Sequence, residues 1–178
     1  MPGSRRGRPR RPRRSDASRA SRPFLWSGSH APALRAPIEH AVLIRAAPDK
    51  VFRAFSTAEG FDSWWTRGTM MERRVGGRIH FVWRDWGPDR LDVEGNARVM
   101  QLREDEVFAW RWDDSEGYPS RTSELEVAAH PEGCVVRVTD TPTDPDAPHG
   151  EVIPLAVAAG WGEALTLLKM WVEHGARY

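Results

Sequence analysis

Trp161-Gly-Glu-Ala-Leu-Thr-Leu-Leu-Lys-Met-Trp-Val-Glu-His-Gly175 is the stretch on which the fold turns. Wound as a helix, it brings Trp161, Ala164, Leu165, Leu168, Trp171 and Val172 onto one broad apolar stripe, because residues three and four apart share a face. Gly175 stands where a helix commonly ends in the left-handed conformation. A helix with so wide an apolar face needs a partner surface, and the sequence before it alternates with the period of strands. Thr69–Val75 reads as a strand, Gly76-Gly77 as a tight turn, and Ile79-His-Phe-Val-Trp83 as its hairpin partner, with Ile79, Phe81 and Trp83 on one face. Leu91–Leu102 reads as a longer strand, bent or bulged near Gly95-Asn96. Val107–Trp112 follows an acidic turn and sets Phe108, Trp110 and Trp112 on one face. Thr122–Ala129 and Cys134–Thr139 pair around His130-Pro-Glu-Gly133.

Further out, Ile38–Arg45 alternates as a first strand, with Ile38, Val42 and Ile44 on one side. Pro48 and Asp49 suit the first turn of a short helix carrying Val51, Phe52 and Phe55. Thr57 is placed to cap a second short helix whose apolar side is Phe61, Trp64 and Trp65. Thr141–Gly150, with three prolines, reads as a locked loop. The expectation is an α+β domain over residues 37–178, a curved antiparallel sheet wrapped around the long C-terminal helix. A domain of about 140 residues buries roughly two-thirds of its unfolded surface and needs no staples.

Residues 1–36 are a different material. They hold ten arginines and one acid, whereas 37–178 hold sixteen basic and twenty-four acidic residues, so the overall +1 conceals a net −8 in the domain. With no periodicity, the Arg/Pro-rich tail reads as disordered. Three readings of it stay open: a nucleic-acid arm, an Arg- and Ser-rich transit peptide, and a solvated leader that includes upstream sequence read from a wrong start codon. Nucleic acid is therefore expected as a partner only through the tail. Phe24-Leu25-Trp26 is too short for a secretory signal, and no run nears the roughly 18 apolar residues of a membrane span. Cys134 is the only cysteine, which excludes a disulfide framework and fits a cytoplasmic location.

The sequence carries no GxGxxG, Walker loop, HExxH or GxSxG pattern, so spacing points to no catalytic residue, cofactor or metal. Asp144-Pro-Asp146 with His149 and Glu151 is the one grouping of potential ligands, and it reads as a solvated loop. Asp113 and Asp114, as neighbours on a strand, should face opposite ways. Tryptophan is the anomaly, with nine residues. All except Trp26 and Trp86 fall where the pattern faces inward. They form either a core filled with rings or a cavity walled by them, able to stack on a small molecule.

Ile44-Arg-Ala-Ala-Pro-Asp-Lys-Val-Phe-Arg-Ala-Phe55, followed by Trp64-Trp65, resembles the opening of the START-like (SRPBCC) superfamily. Val75–Phe81, Val107–Trp112 and Ala159–Leu165 resemble its AHSA1-like branch, the homologues of the activator of Hsp90 ATPase, across about Ile38–His174. The resemblance implies the helix-grip (Bet v 1-like) fold and an apolar pocket between sheet and helix. It carries no catalytic residue over, and the eukaryotic regulator's larger N-terminal domain has no counterpart here.

The leading expectation is a non-catalytic protein that encloses a small hydrophobic, aromatic or lipid-like molecule. Phe81, Trp83, Phe108, Trp110, Trp112, Trp161 and Leu165 would line the cavity, with Trp64 and Trp65 at its mouth. A polyketide cyclase or dehydratase would instead need an inward polar group, for which Asp85 and His40 are in phase. An Hsp90-type chaperone module would need an exposed partner surface. A homodimer is the remaining partner expected.

Overall fold

In the computed structural model the described residues are 37–87, 90–114, 120–144 and 152–177. The chain runs through β1 (Ile38–Ile44), α1 (Pro48–Ser56), α2 (Ala58–Trp64), β2 (Met70–Met71) and β3 (Arg78–Trp86). It continues through β4 (Leu91–Arg103), β5 (Val107–Trp112), β6 (Arg121–His130), β7 (Gly133–Pro142) and α3 (Val152–His174). The seven strands form one antiparallel sheet in the order β1-β7-β6-β5-β4-β3-β2. This is the helix-grip arrangement, with α3 against one face and α1 and α2 at its side. The expected tail, Trp26, Asp146, His149 and Glu151 lie outside the described residues.

Local chemistry accounts for most boundaries. Pro48 opens α1, where a missing N–H costs nothing. Thr57 Oγ1 accepts the Gly60 N–H at 2.9 Å and caps α2. Gly175, at φ +68°, ends α3 and donates its N–H to Trp171 O at 2.7 Å. The stripe on α3 falls as its spacing requires, with Trp161, Ala164, Leu165, Leu168 and Val172 buried.

Three expectations change. Only Met70–Met71 of the segment 69–75 is strand. The loop after α2 is fixed instead by Asp62, whose carboxylate accepts the Gly68 and Thr69 N–H groups and the Thr66 hydroxyl at 2.6–3.1 Å. Along β4 the irregularity lies between Val99 and Gln101, so Met100 is the extra residue, and Gly95-Asn96 stay in register with β3. A second shift lies between Trp83 and Trp86, where three steps on β3 oppose two on β4. It turns Asp85 outward at φ +55°, exposed and paired with Arg90, so Asp85 is not the inward acid that alternation suggested.

The two halves of α3 are held differently. At its C-terminal end Lys169 Nζ donates to Leu43 O and Glu173 Oε1, both at 2.6 Å. The Arg45 N–H reaches Glu173 Oε1 at 2.6 Å, and Lys50 Nζ reaches Val172 O at 3.0 Å. Leu155–His174 is long and apolar enough, at mean hydropathy 1.2, to cross a bilayer by composition alone. Here its stripe is the inner surface of the domain. Its N-terminal half stands over a cavity.

Candidate functional site

The aromatic layer beneath α2 and α3 divides in two. In the packed half, Phe61 of α2 is the hub: its ring centroid lies 5.1 Å from Phe81 and 5.8 Å from Trp110, both edge to face. Phe108 and Trp64 complete this half, and every ring in it is buried. Trp64 Nε1 donates to Ala54 O at 2.8 Å, whereas the buried Trp110 Nε1 finds no acceptor among the described residues.

Beside it opens a cavity of about 480 Å³, within the size range of small-molecule sites. Trp83, Trp86 and Trp112 wall it from the sheet, Trp65 from the end of α2, and Trp161 with Val157 and Gly160 from α3. Trp65 joins the halves, stacked 5.6 Å from Trp64 and in contact with Trp83 at 5.2 Å and Trp161 at 5.8 Å. Gly95 makes room for this wall. A Cβ there would stand 3.2 Å from Trp112 and 3.5 Å from Trp83, so a larger residue would have to move the rings.

Of the nine residues expected to form the site, Trp65, Trp83, Trp112 and Trp161 are on the cavity wall. Trp64, Phe81, Phe108, Trp110 and Leu165 are instead buried in the packed layer behind or beside it, where Phe61 of α2 packs on Phe81, Phe108 and Trp110. Trp86 was expected to face away from the interior. The extra residue before it in β3 reverses its phase and sets it on the wall. His40 is half-buried on the edge strand β1 and is not on the cavity wall. Among the described residues no group of acids, histidines and cysteines could hold a metal ion.

The buried polar chemistry of the cavity centres on two residues that no motif marks. Arg121 and Asp140 line the cavity, and their side chains are 6% and 2% exposed. The Arg121 Nε donates to Asp140 Oδ1, and its Nη2 donates to Asp140 O at 3.1 Å. Asp140 Oδ2 also accepts from Ser123 Oγ at 2.6 Å and from Trp161 Nε1 at 3.1 Å. Ser123 Oγ in turn accepts the Trp112 Nε1–H at 2.8 Å. One carboxylate thus ties β5, β6, β7 and α3 together, and no lone buried charge remains. A signal for it existed. Counting outward from the two-residue turn between His130 and Gly133 puts Ser123 opposite Asp140, with Arg121 in phase with Ser123.

Asp113 and Asp114 do not diverge as strand neighbours would, because β5 ends at Trp112. Both are exposed at the mouth of the cavity, with Glu94 and Glu163.

The family described as activator of Hsp90 ATPase homolog 1-like protein matches residues 45–173. No curated protein matches the chain. Among solved structures it is similar to the Aha1 dimer from Colwellia psychrerythraea, with a TM-score of 0.63 and 20% identity over 79% of this chain and 98% of that one. It is also similar to DynU16, a protein of the dynemicin biosynthetic locus, with a TM-score of 0.62 and 17% identity over 78% of this chain and 48% of that one. CalU16 from Micromonospora echinospora matches with a TM-score of 0.58 and 18% identity, over 76% and 72% of the two chains. At these identities the likeness is one of fold.

Proposed function

The chain belongs to the activator of Hsp90 ATPase homolog 1-like family, within the START-like superfamily, and from that premise we propose that it is a non-catalytic binding protein for a small, flat, hydrophobic molecule. The observation that carries the reading is the cavity of about 480 Å³ walled by five indoles. Trp65, Trp83, Trp86, Trp112 and Trp161 would contact the ligand. Phe81, Phe108, Trp110, Trp64 and Leu165 would hold that wall rigid from behind. Rigid rings lose little freedom when a ligand stacks on them, so apolar contact converts efficiently into affinity.

Binding is favoured over cyclase or dehydratase chemistry by the state of Asp140, the one acid buried among the described residues. Both oxygens of Asp140 already accept hydrogen bonds, which leaves it poorly placed to take a proton from a substrate. In this reading the protein works in the cytoplasm, with its single thiol, Cys134, buried and unpaired.

Isothermal titration with 1-naphthalenemethanol, a neutral flat probe, tests the reading. Expected are saturable binding, a rise in thermal midpoint as the native state alone is occupied, and at least about tenfold weaker binding for Trp83→Ala and Trp112→Ala. Absence of binding by this probe and by larger fused-ring alcohols would overturn it. The chaperone-module reading would then lead, and with it dimerisation as the assembly to measure by light scattering.

A further inference from the structure

The charge around the cavity narrows the class of ligand, given the binding reading above. Among the described residues Arg121 is the only basic side chain on the wall. Its charge is matched by Asp140, to which it is bonded through both side chain and backbone. At the mouth stand Glu94, Asp113, Asp114 and Glu163. Glu94 is engaged by Arg84 and faces His80 at 3.5 Å. Asp113, Asp114 and Glu163 make no ion pair among the described residues. Asp114 accepts only the Ser120 N–H, at 2.6 Å.

We propose that the cavity selects a cationic amphiphile, a flat apolar body bearing an ammonium group, over neutral or anionic molecules of the same shape. The carboxylates and the rings act at different stages. A single exposed carboxylate contributes little in water, but three around one apolar mouth raise the local concentration of cations and repel anions. An ammonium group that enters gives up water for indole faces, which carry the negative part of the ring quadrupole and are the best aromatic partners for a cation. An anion would meet the same three carboxylates and the same faces. The one guanidinium on the wall among the described residues is already neutralised by Asp140.

The test compares one ring system in three charge states. The probes are (1-naphthylmethyl)trimethylammonium, 1-naphthalenemethanol and 1-naphthylacetate, titrated calorimetrically at low salt and again at about 0.5 M NaCl. The cation should bind at least about tenfold more tightly than the anion at low salt, and the ratio should shrink at high salt as the carboxylates are screened. In Asp113→Asn/Asp114→Asn/Glu163→Gln the cation-to-anion ratio should fall to within about threefold, with the thermal midpoint confirming that the variant is folded. If the alcohol binds but the cation shows no advantage over the anion, the charge selection is overturned and the pocket reading survives. If none of the three binds and larger fused-ring alcohols do not bind either, both fall. An unchanged ratio in the triple variant would also overturn the role given to these carboxylates.

Discussion

Trp110 and Trp112 lie two residues apart on β5, point to the same side of the sheet, and meet different fates. Trp110 is fully buried among Phe61, Phe81 and Phe108. Trp112 is half-exposed on a cavity wall, with its N–H on Ser123. The strand treats the two alike, and what differs is the cover. Over Trp110 the chain places α2, which arrives with Phe61. Over Trp112 it places the N-terminal half of α3, which offers Val157 and Gly160 and leaves space. A row of rings in a strand therefore announces an inward face, while the opposing layer decides between core and pocket.

The sharpest way to break this comparison is at Asp140, which joins the pocket's end of the sheet to α3. Asp140→Ala leaves the Arg121 guanidinium buried and unpaired and should cost about 3–5 kcal/mol in urea unfolding. Replacing both charges, as in Arg121→Met/Asp140→Leu, should cost clearly less than that single change. The reverse ranking would mean that the pair is not what holds this end together.

Truncating the two halves of the ring layer comes next. Trp110→Ala should destabilise by about 3–5 kcal/mol, the range for a large ring removed from a closed core. Trp83→Ala removes a half-buried ring beside existing space and should cost about 1–2 kcal/mol. Equal losses would show that the two halves are packed alike and that the cavity closes in solution.

Acid separates the loop of Trp65 from the rest. Burial pushes the Asp62 carboxyl up, but hydrogen bonds from Thr66, Thr69 and Gly68 outweigh it and hold it below its ordinary value. Glu173 is likewise held low, first by Lys169 and then by the Arg45 N–H. Groups lowered by folding stabilise above their unfolded values, and that stability is lost as pH falls through the carboxylate range. The thermal midpoint should stay flat down to about pH 5 and drop below about pH 4. Asp62→Asn should lower the neutral-pH midpoint and remove part of the acid drop. A drop of unchanged size would assign it to Glu173 and its neighbours.

The smallest effect has the opposite sign. The glycines flanking Trp161 suggest a close approach of backbones, yet a Cβ at Gly160 or Gly162 would meet nothing within 4 Å. Gly162→Ala should therefore stabilise α3 by up to about 1 kcal/mol. A loss would reveal a contact that the open space denies.

Most of the architecture was legible in the sequence because its elements carried periods or caps of their own: Thr57 before α2, Gly175 after α3, and rings at every second residue of β5. The site was legible only in part. Trp65, Trp83, Trp112 and Trp161 follow from phase alone, but Trp86 does not. Its orientation depends on one extra residue in β3, which is defined only against β4. The packed rings could not be told from the wall, since Phe61 covers them from an element far from β5 in sequence. Arg121 and Asp140 escaped because charged residues in phase with a buried face read as strand ends until the hairpin register sets them side by side.

The bonds that converge on Asp140 also make a clock. The Trp161 indole N–H donates to that carboxylate and the Trp112 indole N–H donates to Ser123, which is bound to it. The Trp161 proton exchanges only when helix and sheet part locally, and the Trp112 proton when its bond to Ser123 opens within the sheet, so the two exchange times report two different openings of this end of the domain. Lys169, Glu173 and Lys50 fasten the other end of α3 independently. The Trp161 signal thus watches one end of the helix breathe while the other stays moored, and the Trp112 signal watches the sheet beneath it.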